Sequence, residues 1–371
     1  MIASVFPTGL ALGKAFINRT EERKHLSHRV NNNQHTVLMA PRRYGKTSLV
    51  VKVSEELGLP YSMVDLFSSD SEEEIRDLIA EKVGELVFQL SGNLEKLKKT
   101  VLNVFKIMKP ELVLGAFGLK LQITFSKNPV DDISKLLLNL NQVAEQTGQR
   151  AVFFMDEFQQ ISELKKCHKL EASIRHAVER SKNITYIFSG SNKHLLSKMF
   201  GDDSRPLYKL CHIMELGKIL PEHYIPYLNI HAKVKWKKLF DDACLDCIFT
   251  LTDCHPFYMN MLCQLIWDQD KYPNTDIITE IWSKYVDTQR HFIEPTIASL
   301  SLNQRKILKA LANSSSNETL SIEFLTPIKI STSSARQSLD YLQKKGLIQK
   351  LSVREYSVLD AAIKYFLLKN H

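Results

Sequence analysis

The stretch Thr36–Thr47 (TVLMAPRRYGKT) decides the fold of this 371-residue chain. Its first five residues, Thr36–Ala40, are mostly apolar and predict a short buried strand that runs directly into a turn. The turn closes with Gly-Lys-Thr, the spacing of a phosphate-binding loop, although Ala40 stands where that pattern has its first glycine. Lys46–Leu57 then predicts a helix with one apolar face. Strand, loop and helix in this succession indicate a nucleotide-binding α/β fold.

Each residue type in the loop has a chemical reason to be there. The backbone N–H groups turn inward around the phosphates, and the N-terminal end of the next helix adds positive field. Gly45 lets the backbone approach closely, Lys46 reaches the β- and γ-phosphates, and Thr47 offers a hydroxyl to Mg²⁺. The methyl group of Ala40 weakens binding only if that position needs a positive φ. The residues expected to contact ATP or ADP are Ala40, Pro41, Arg42, Arg43, Tyr44, Gly45, Lys46, Thr47 and Ser48.

Two acidic residues follow another apolar run. Arg150–Met155 (RAVFFM) predicts a buried strand that ends at Asp156 and Glu157. Ligands of open parallel sheets bind at the carboxyl ends of strands, so we expect Asp156 to hold the metal ion. Glu157 is expected to orient and polarise the attacking water. After the next apolar strand, Ile184–Ser189, we expect Ser191 to contact the γ-phosphate or that water, with an ordinary Ser/Gly turn as the alternative.

The pattern along the chain predicts three regions. In residues 1–215, apolar strands without polar alternation are separated by helices, which indicates an α/β domain with a parallel sheet between helices. Residues 216–288 are helical in pattern. In residues 289–371, helical runs at Ile322–Lys329 and Ser333–Lys344 precede two strand-like runs, which is the order of a winged helix-turn-helix.

Composition and cysteine spacing restrict the class of protein. Hydrophobic residues make up 44% and charged residues 24%, as in ordinary globular proteins. No apolar run approaches the roughly 18–20 residues needed to cross a bilayer, and the N-terminus lacks the basic start of a secretory signal, so we expect a cytoplasmic protein and no membrane partner. A zinc site is an alternative for the group Cys244, Cys247, Cys254, His255 and Cys263. We favour reduced cysteines acting as small hydrophobic side chains.

Basic charge is concentrated in the last fifth of the chain. The net charge is +8, and residues 290–371 hold 12 Lys/Arg against 6 Asp/Glu. Such an excess fits DNA or an acidic partner, or simply solvated lysines. Short polar residues at a helix start suit groove edges and phosphates, so the residues expected to face DNA are Ser333, Arg336, Gln337 and Lys344. Docking of a protein partner is the alternative.

Six short strings together resemble the prokaryotic and archaeal AAA+/STAND-type ATPases. They are Phe16–Glu22 (FINRTEE), Pro41–Leu49 (PRRYGKTSL), Phe154–Gln159 (FMDEFQ), Phe188–Ser191 (FSGS), Arg205–Tyr208 (RPLY) and His255–Tyr258 (HPFY). The resemblance covers nearly the whole chain. It implies an α/β P-loop NTPase fold with an AAA+-like parallel sheet and helices on both faces, followed by a helical lid at 216–288 and a winged-helix domain at 289–371.

The resemblance also implies roles for residues outside the phosphate-binding loop. In relatives the lead-in borders the adenine, which would place Phe16, Ile17 and Arg19 near the base. The proline of the lid motif packs on the nucleotide, which points to Pro256. Relatives usually carry glycine where this chain has Cys254.

Arginines complete the expected site. Arg205 is a candidate catalytic residue, because an arginine that contacts phosphate or a neighbouring subunit stabilises the transition state. Arg42 and Arg43 are further candidates, with solvated loop charges as an equal alternative. The resemblance implies slow hydrolysis in which the nucleotide acts as a switch, in a monomer or a nucleotide-dependent oligomer.

Three functions remain open from the sequence. The first is a slowly hydrolysing ATPase switch coupled to the winged helix. The second is a nucleotide-loaded DNA-binding or protein-interaction module with negligible ATP turnover. The third is an effector that uses the nucleotide only to stabilise its fold. Glu157 favours the first, because a purely structural site does not need a residue that activates water.

Overall fold

The computed structural model describes residues 5–91, 100–115, 118–313 and 318–369. The chain divides into two compact units: Arg19–Gly217, and a second unit that joins Met1–Asn18 to Lys218–His371. The sequence did not indicate that the N-terminal residues group with the second unit. The three-domain boundaries drawn from the sequence stay a prediction.

A parallel sheet forms the centre of the first unit. The described strands of this unit are β1 (Thr36–Met39), β2 (Tyr61–Asp65), β3 (Glu111–Gly115), β4 (Gly118–Gln122), β5 (Ala151–Asp156), β6 (Ile184–Gly190) and β7 (His212–Glu215). Five of them lie in the order β2-β5-β6-β1-β7, with every neighbouring pair parallel. β3 and β4 form a separate antiparallel hairpin. The β1 strand therefore lies between β6 and β7, so the loop after it opens at the carboxyl edge of the sheet.

Helices cover the sheet. Those of the first unit are α1 (Thr20–Asn31), α2 (Lys46–Glu56), α3 (Glu72–Ser91), α4 (Pro129–Thr147), α5 (Cys167–Val178) and α6 (Lys193–Gly201). Neighbouring side chains of a strand point to opposite faces, and Phe153 and Phe154 of β5 are both fully buried. Both faces of the sheet are therefore covered at this strand. The β7 strand was not predicted, because only Met214 of its four residues is buried and no apolar run marks it.

The second unit is mostly helical. Its elements are α7 (Pro221–Trp236), α8 (Asp242–Thr252), α9 (Pro256–Trp267), α10 (Thr275–Thr288), α11 (Arg290–Ala298), α12 (Leu302–Asn313), α13 (Ile322–Ile328), α14 (Thr332–Lys344), β8 (Ile348–Lys350), β9 (Tyr356–Val358) and α15 (Ala361–Lys369). The two helices α13 and α14 precede the antiparallel pair β8 and β9, an element order that accords with a winged helix. None of the helices in the described part of the chain is long and apolar enough to cross a membrane.

The N-terminal segment is held in the second unit by direct contacts. Phe6 is almost fully buried, and its ring lies 4.5 Å from that of Trp267 and 5.7 Å from that of Tyr227. The hydroxyl of Tyr227 also donates to the carbonyl of Val5 (2.6 Å). These contacts explain why the first residues of the chain group with helices that are more than 200 positions away.

The cysteines of the second unit contact apolar residues. Cys244 and Cys263 are buried in its hydrophobic core. His255 caps α9, because its Nδ1 accepts the N–H of Phe257 (3.2 Å). Among the described residues, no three His, Cys, Asp or Glu side chains gather closely enough to hold a metal ion. Burial raises the pKa of the Cys244 thiol to about 12, so it stays protonated at neutral pH.

The turn before α9 has the backbone conformation that glycine prefers. Cys254 has a φ of 52°, and Asp253 before it has a φ of 50°. A residue with a side chain is destabilised by about 1 kcal/mol relative to glycine in this region of backbone conformation. We expect the free energy of unfolding of the Cys254→Gly variant to be about 1 kcal/mol larger than that of the Cys254→Ala variant. Both variants lose the thiol packing, so their difference isolates the backbone contribution.

Urea unfolding followed by tryptophan fluorescence measures this difference. All three tryptophans, Trp236, Trp267 and Trp282, belong to the second unit, so the signal reports the unit that contains the turn. Equal stability of the glycine and alanine variants would show that the turn relaxes without strain.

Candidate functional site

The phosphate-binding loop joins the end of β1 to the start of α2. Two of its residues have a positive φ, Arg43 (64°) and Gly45 (86°), whereas Ala40 does not. Ala40 is fully buried, and its N–H donates to the carbonyl of Gly190 on the neighbouring strand (3.5 Å). The alanine therefore occupies its position without the backbone strain that would have demanded glycine.

Lys46 lies inside the loop. Its side chain is only 6% exposed, and its ammonium donates to the carbonyls of Ala40 (3.1 Å) and Pro41 (3.3 Å). Burial lowers the pKa of Lys46, while the carboxylates of Asp156 and Glu157 act in the opposite direction. A partly desolvated ammonium inside a turn of backbone groups is well suited to an anionic ligand.

Thr47 and Asp156 meet at the carboxyl edge of the sheet. The Thr47 hydroxyl donates to Asp156 Oδ2 (2.8 Å), although the two residues are 109 positions apart. The Asp156 Oδ1 atom accepts from the Ser189 hydroxyl and from the N–H of Glu157 (2.9 Å for the latter). The structure thus joins the two predicted metal ligands, and it adds Ser189 as a residue that orients the aspartate.

Glu157 is also fixed by hydrogen bonds. Its Oε2 accepts from the Ser191 hydroxyl (2.8 Å), from the Ser191 N–H (3.4 Å) and from the Gln159 side-chain amide. Ser191 therefore contacts the predicted water-activating carboxylate. Glu157 itself has a φ of 50°, a left-handed conformation that needs support from surrounding contacts when a side chain is present.

Three arginines predicted for the nucleotide site have partners in the first unit. Arg19 is 5% exposed and donates to the carbonyl of Tyr44 in the loop (2.9 Å), so it supports the loop backbone. Arg42 places its guanidinium 4.4 Å from the centre of the Phe67 ring, which follows β2. Arg205 is ion-paired with Glu171 of α5, whose side chain is fully buried.

The Arg205–Glu171 pair has its own electrostatics. Burial raises the pKa of Glu171, and the adjacent Arg205 guanidinium opposes that rise. Removing one partner of such a pair leaves a buried charge without compensation. In this structure Arg205 is therefore a structural cation, and its catalytic role stays a prediction.

Three further predicted nucleotide contacts, Phe16, Ile17 and Pro256, belong to the second unit. Ile17 is buried in the hydrophobic core of that unit, and Phe16 is half-buried. Pro256 is the first residue of α9 and is half-buried. Their contact with adenine or nucleotide stays a prediction.

The predicted recognition helix exposes all four of its predicted DNA contacts. Ser331 caps α14, and Ser333, Arg336, Gln337 and Lys344 are all exposed. Lys344 forms an ion pair with Asp340 on the same helix (2.7 Å), which reduces its availability for a phosphate. DNA contact by these residues stays a prediction.

Sequence reasoning missed two residues that contact the acidic pair. Ser189 ends an apolar strand and was included only in the strand, although its position beside Asp156 follows from the pairing of β5 with β6. Gln159 lies in a short 3-10 helix, Phe158–Glu163, which returns its side chain to Glu157. A polar residue two positions after the acidic pair was the available signal.

Solved structures resemble this chain over almost its full length. The Walker-type ATPase Paby2304 of Pyrococcus abyssi superimposes with a TM-score of 0.69 at 17% identity, covering 96% of this chain and 97% of that one. The Aeropyrum pernix ORC2 protein in its ADPNP–ADP complexes gives a TM-score of 0.53 at 15% identity over 96% of both chains. No protein-family model matches the sequence, and no curated protein matches it.

At these identities the likeness concerns the fold. It is that of an AAA+-type P-loop NTPase, a five-stranded parallel sheet with flanking helices, followed by a helical part whose elements accord with a lid and a winged helix. The predicted fold class is confirmed.

Proposed function

We propose that this chain is a P-loop ATPase that binds ATP or ADP with Mg²⁺ and hydrolyses ATP slowly. The observation that carries the proposal is the 2.8 Å hydrogen bond between the Thr47 hydroxyl and Asp156 Oδ2. It brings together a hydroxyl and a carboxylate, the oxygen ligands that Mg²⁺ prefers, directly beside a loop that contains a buried lysine. The names of the similar structures, an ATPase and an ADPNP–ADP complex, support the same reading.

Different residues of the first unit have different roles in the proposed hydrolysis. The loop N–H groups and Lys46 would hold the β- and γ-phosphates, and Thr47 and Asp156 would hold the metal ion. When bound, the metal ion supplies charge neutralisation on the phosphates. Glu157 would accept a proton from the attacking water, with Ser191 keeping the carboxylate in place.

The expected rate is slow. Arg205 is committed to a buried ion pair with Glu171, so it adds no charge to the γ-phosphate in this arrangement. The same observation favours the second candidate function, a nucleotide-loaded module with negligible turnover. Activation would then require another arginine, supplied by a partner or a neighbouring copy, as in nucleotide-dependent oligomers.

Calorimetric titration of the full chain tests nucleotide binding. ADP and ATP should bind in the presence of Mg²⁺ at least tenfold more tightly than AMP, which lacks the β-phosphate that the loop and Lys46 would hold. Chelating Mg²⁺ with EDTA should weaken ATP binding. Equal affinity for AMP, ADP and ATP would contradict a phosphate-centred site.

We further propose that the winged-helix elements bind DNA through α14. The exposed Arg336, Gln337 and Ser333 lie near the start of this helix, where short and basic side chains suit phosphates and base edges. If Arg336 contacts a phosphate, Arg336→Gln should reduce the slope of log affinity against log salt by about 0.9. Arg290→Gln on α11 is the matched control, because Arg290 is ion-paired with Glu294 (2.6 Å).

The salt slope also separates DNA from a protein partner. A chain that shows no salt-dependent DNA binding at all would favour the alternative, in which the winged helix docks a protein. The nucleotide site would be unaffected by that outcome.

A further inference from the structure

We propose that Gln159 is a positioning residue for ATP hydrolysis, which holds Glu157 in the orientation needed to activate water. The inference rests on the proposed ATPase function and assigns a role to a residue whose side-chain amide donates to Glu157. Gln159 would act through Glu157 and not on the nucleotide. Its contribution should therefore appear in the rate of hydrolysis and not in nucleotide affinity.

Hydrogen bonds to Glu157 converge on one carboxylate oxygen. The Gln159 amide and both donors of Ser191 all reach Oε2. Among the described residues no hydrogen bond reaches the other oxygen, Oε1, which can accept the proton of an attacking water. Fixing one oxygen with donors from two different segments restricts rotation of the carboxylate, which is the geometric requirement of a general base.

The orientation of the Gln159 amide follows from this contact. A carboxylate oxygen only accepts hydrogen bonds when ionised, so the NH₂ group must face Glu157 and the amide oxygen must point away from it. That oxygen, Gln159 Oε1, is buried and has no hydrogen-bond partner, and the residue is 5% exposed. Burying an acceptor without a partner costs free energy that an apolar side chain of the same size would not pay.

A glycine on the neighbouring strand makes room for the amide. A Cβ atom at Gly190 would lie 1.8 Å from Gln159 Oε1 and 3.0 Å from Leu196 Cδ1. The φ of Gly190 is not in the left-handed region, so glycine is needed here for space and not for backbone conformation. The unpaired amide oxygen and the missing side chain at Gly190 together indicate a site arranged to bring Gln159 against Glu157 at a cost in stability.

The backbone conformation of Glu157 is an independent reason to expect that neighbouring contacts hold this residue in place. A left-handed φ of 50° in a residue with a long side chain persists only when surrounding contacts determine it. Ser191, directly after β6, and Gln159, in the short 3-10 helix, supply those contacts. Loss of the Gln159 contact leaves Ser191 alone to determine the carboxylate orientation.

Gln159→Leu is the first test, because leucine fills similar space without a donor. We expect kcat for ATP to fall about tenfold, while the KM for ATP and the affinity for ADP stay within twofold of wild type. The melting temperature should be unchanged or higher, because the unpaired acceptor is removed. A merely structural role would instead lower the melting temperature and leave kcat per folded molecule intact.

Gly190→Ala tests the same contact from the opposite side. The new methyl group should displace the Gln159 amide from Glu157 and lower kcat by a similar factor. In a Gln159→Ala background the clash with the amide is gone and only the contact with the flexible end of the Leu196 side chain remains, so adding Gly190→Ala should change kcat by less than twofold. Gly201→Ala is the matched control, since a Cβ there meets open space.

The outcomes distinguish this inference from the proposed function. If the wild-type chain hydrolyses ATP and Gln159→Leu keeps the wild-type kcat, the positioning role is overturned and the ATPase stands. If Gly190→Ala lowers kcat equally in both backgrounds, its effect does not pass through Gln159 and the inference also fails. A wild-type chain that binds ATP without turnover overturns the hydrolysis and this role together.

Discussion

Replacing Lys46 by alanine is expected to weaken ATP and ADP binding by about 100-fold, which corresponds to about 2.7 kcal/mol. Among the described residues, the buried Lys46 ammonium donates to the carbonyls of Ala40 and Pro41 and to no carboxylate, so a phosphate would be its first anionic partner at hydrogen-bond distance. Charge-assisted hydrogen bonds of this kind contribute more than neutral ones. Calorimetry with ADP and Mg²⁺ measures the loss.

Lys52→Ala is the matched control for this prediction. Lys52 lies on the same helix, and its ammonium is ion-paired with Glu56 (3.2 Å) near the surface. Its removal should leave nucleotide affinity within twofold of wild type. Wild-type affinity in Lys46→Ala would refute the central claim that this loop holds the phosphates.

Replacing Glu157 by glutamine is expected to lower kcat by at least about 100-fold while ATP binding is retained. Glutamine has almost the same shape, but its amide cannot accept a proton from water. Because Glu157 does not hold the phosphates in the proposed arrangement, the affinity for ATP should stay the same or increase. Single-turnover hydrolysis, together with the ratio of ATP to ADP on the purified chain, measures this separation of binding from chemistry.

The matched control is Glu163→Gln, which removes an exposed carboxylate from the short 3-10 helix that follows Glu157. It should leave kcat unchanged. If Glu157→Gln hydrolyses ATP at the wild-type rate, the base is another group. The second candidate function, a nucleotide-loaded module, would be favoured if neither variant differs from a wild type that binds ATP but does not turn it over.

Much of the first unit could be predicted because its signals are local. The strands β1, β5 and β6 are continuous apolar runs, and each leads into residues whose chemistry is distinctive: the loop with Lys46, the Asp156–Glu157 pair, and Ser191. Parallel strands buried on both faces leave such a pattern in any sequence. The edge strand β7 leaves no such pattern. It pairs with β1 on one side only, and three of its four residues are exposed.

Contacts between distant polar residues could not be predicted in the same way. Arg205 looks like a phosphate-binding arginine in the sequence, but Glu171, 34 positions earlier, occupies it. The only sequence signal for Gln159 is a polar residue two positions after the acidic pair, and its short 3-10 helix has no periodicity, so the return of its amide to Glu157 could not be predicted. Such pairs depend on the tertiary arrangement of loops.

The interleaved division of the chain has a consequence for synthesis. The polypeptide crosses between the units twice, at Asn18–Arg19 and at Gly217–Lys218, so the first unit is a continuous insertion within the second. During translation, residues 19–217 are available to fold as one piece. Phe6 leaves the ribosome long before Trp267, against which its ring packs in the folded chain. A ribosome moving at about 5–20 residues per second leaves that aromatic side chain uncovered for roughly 13 to 50 seconds.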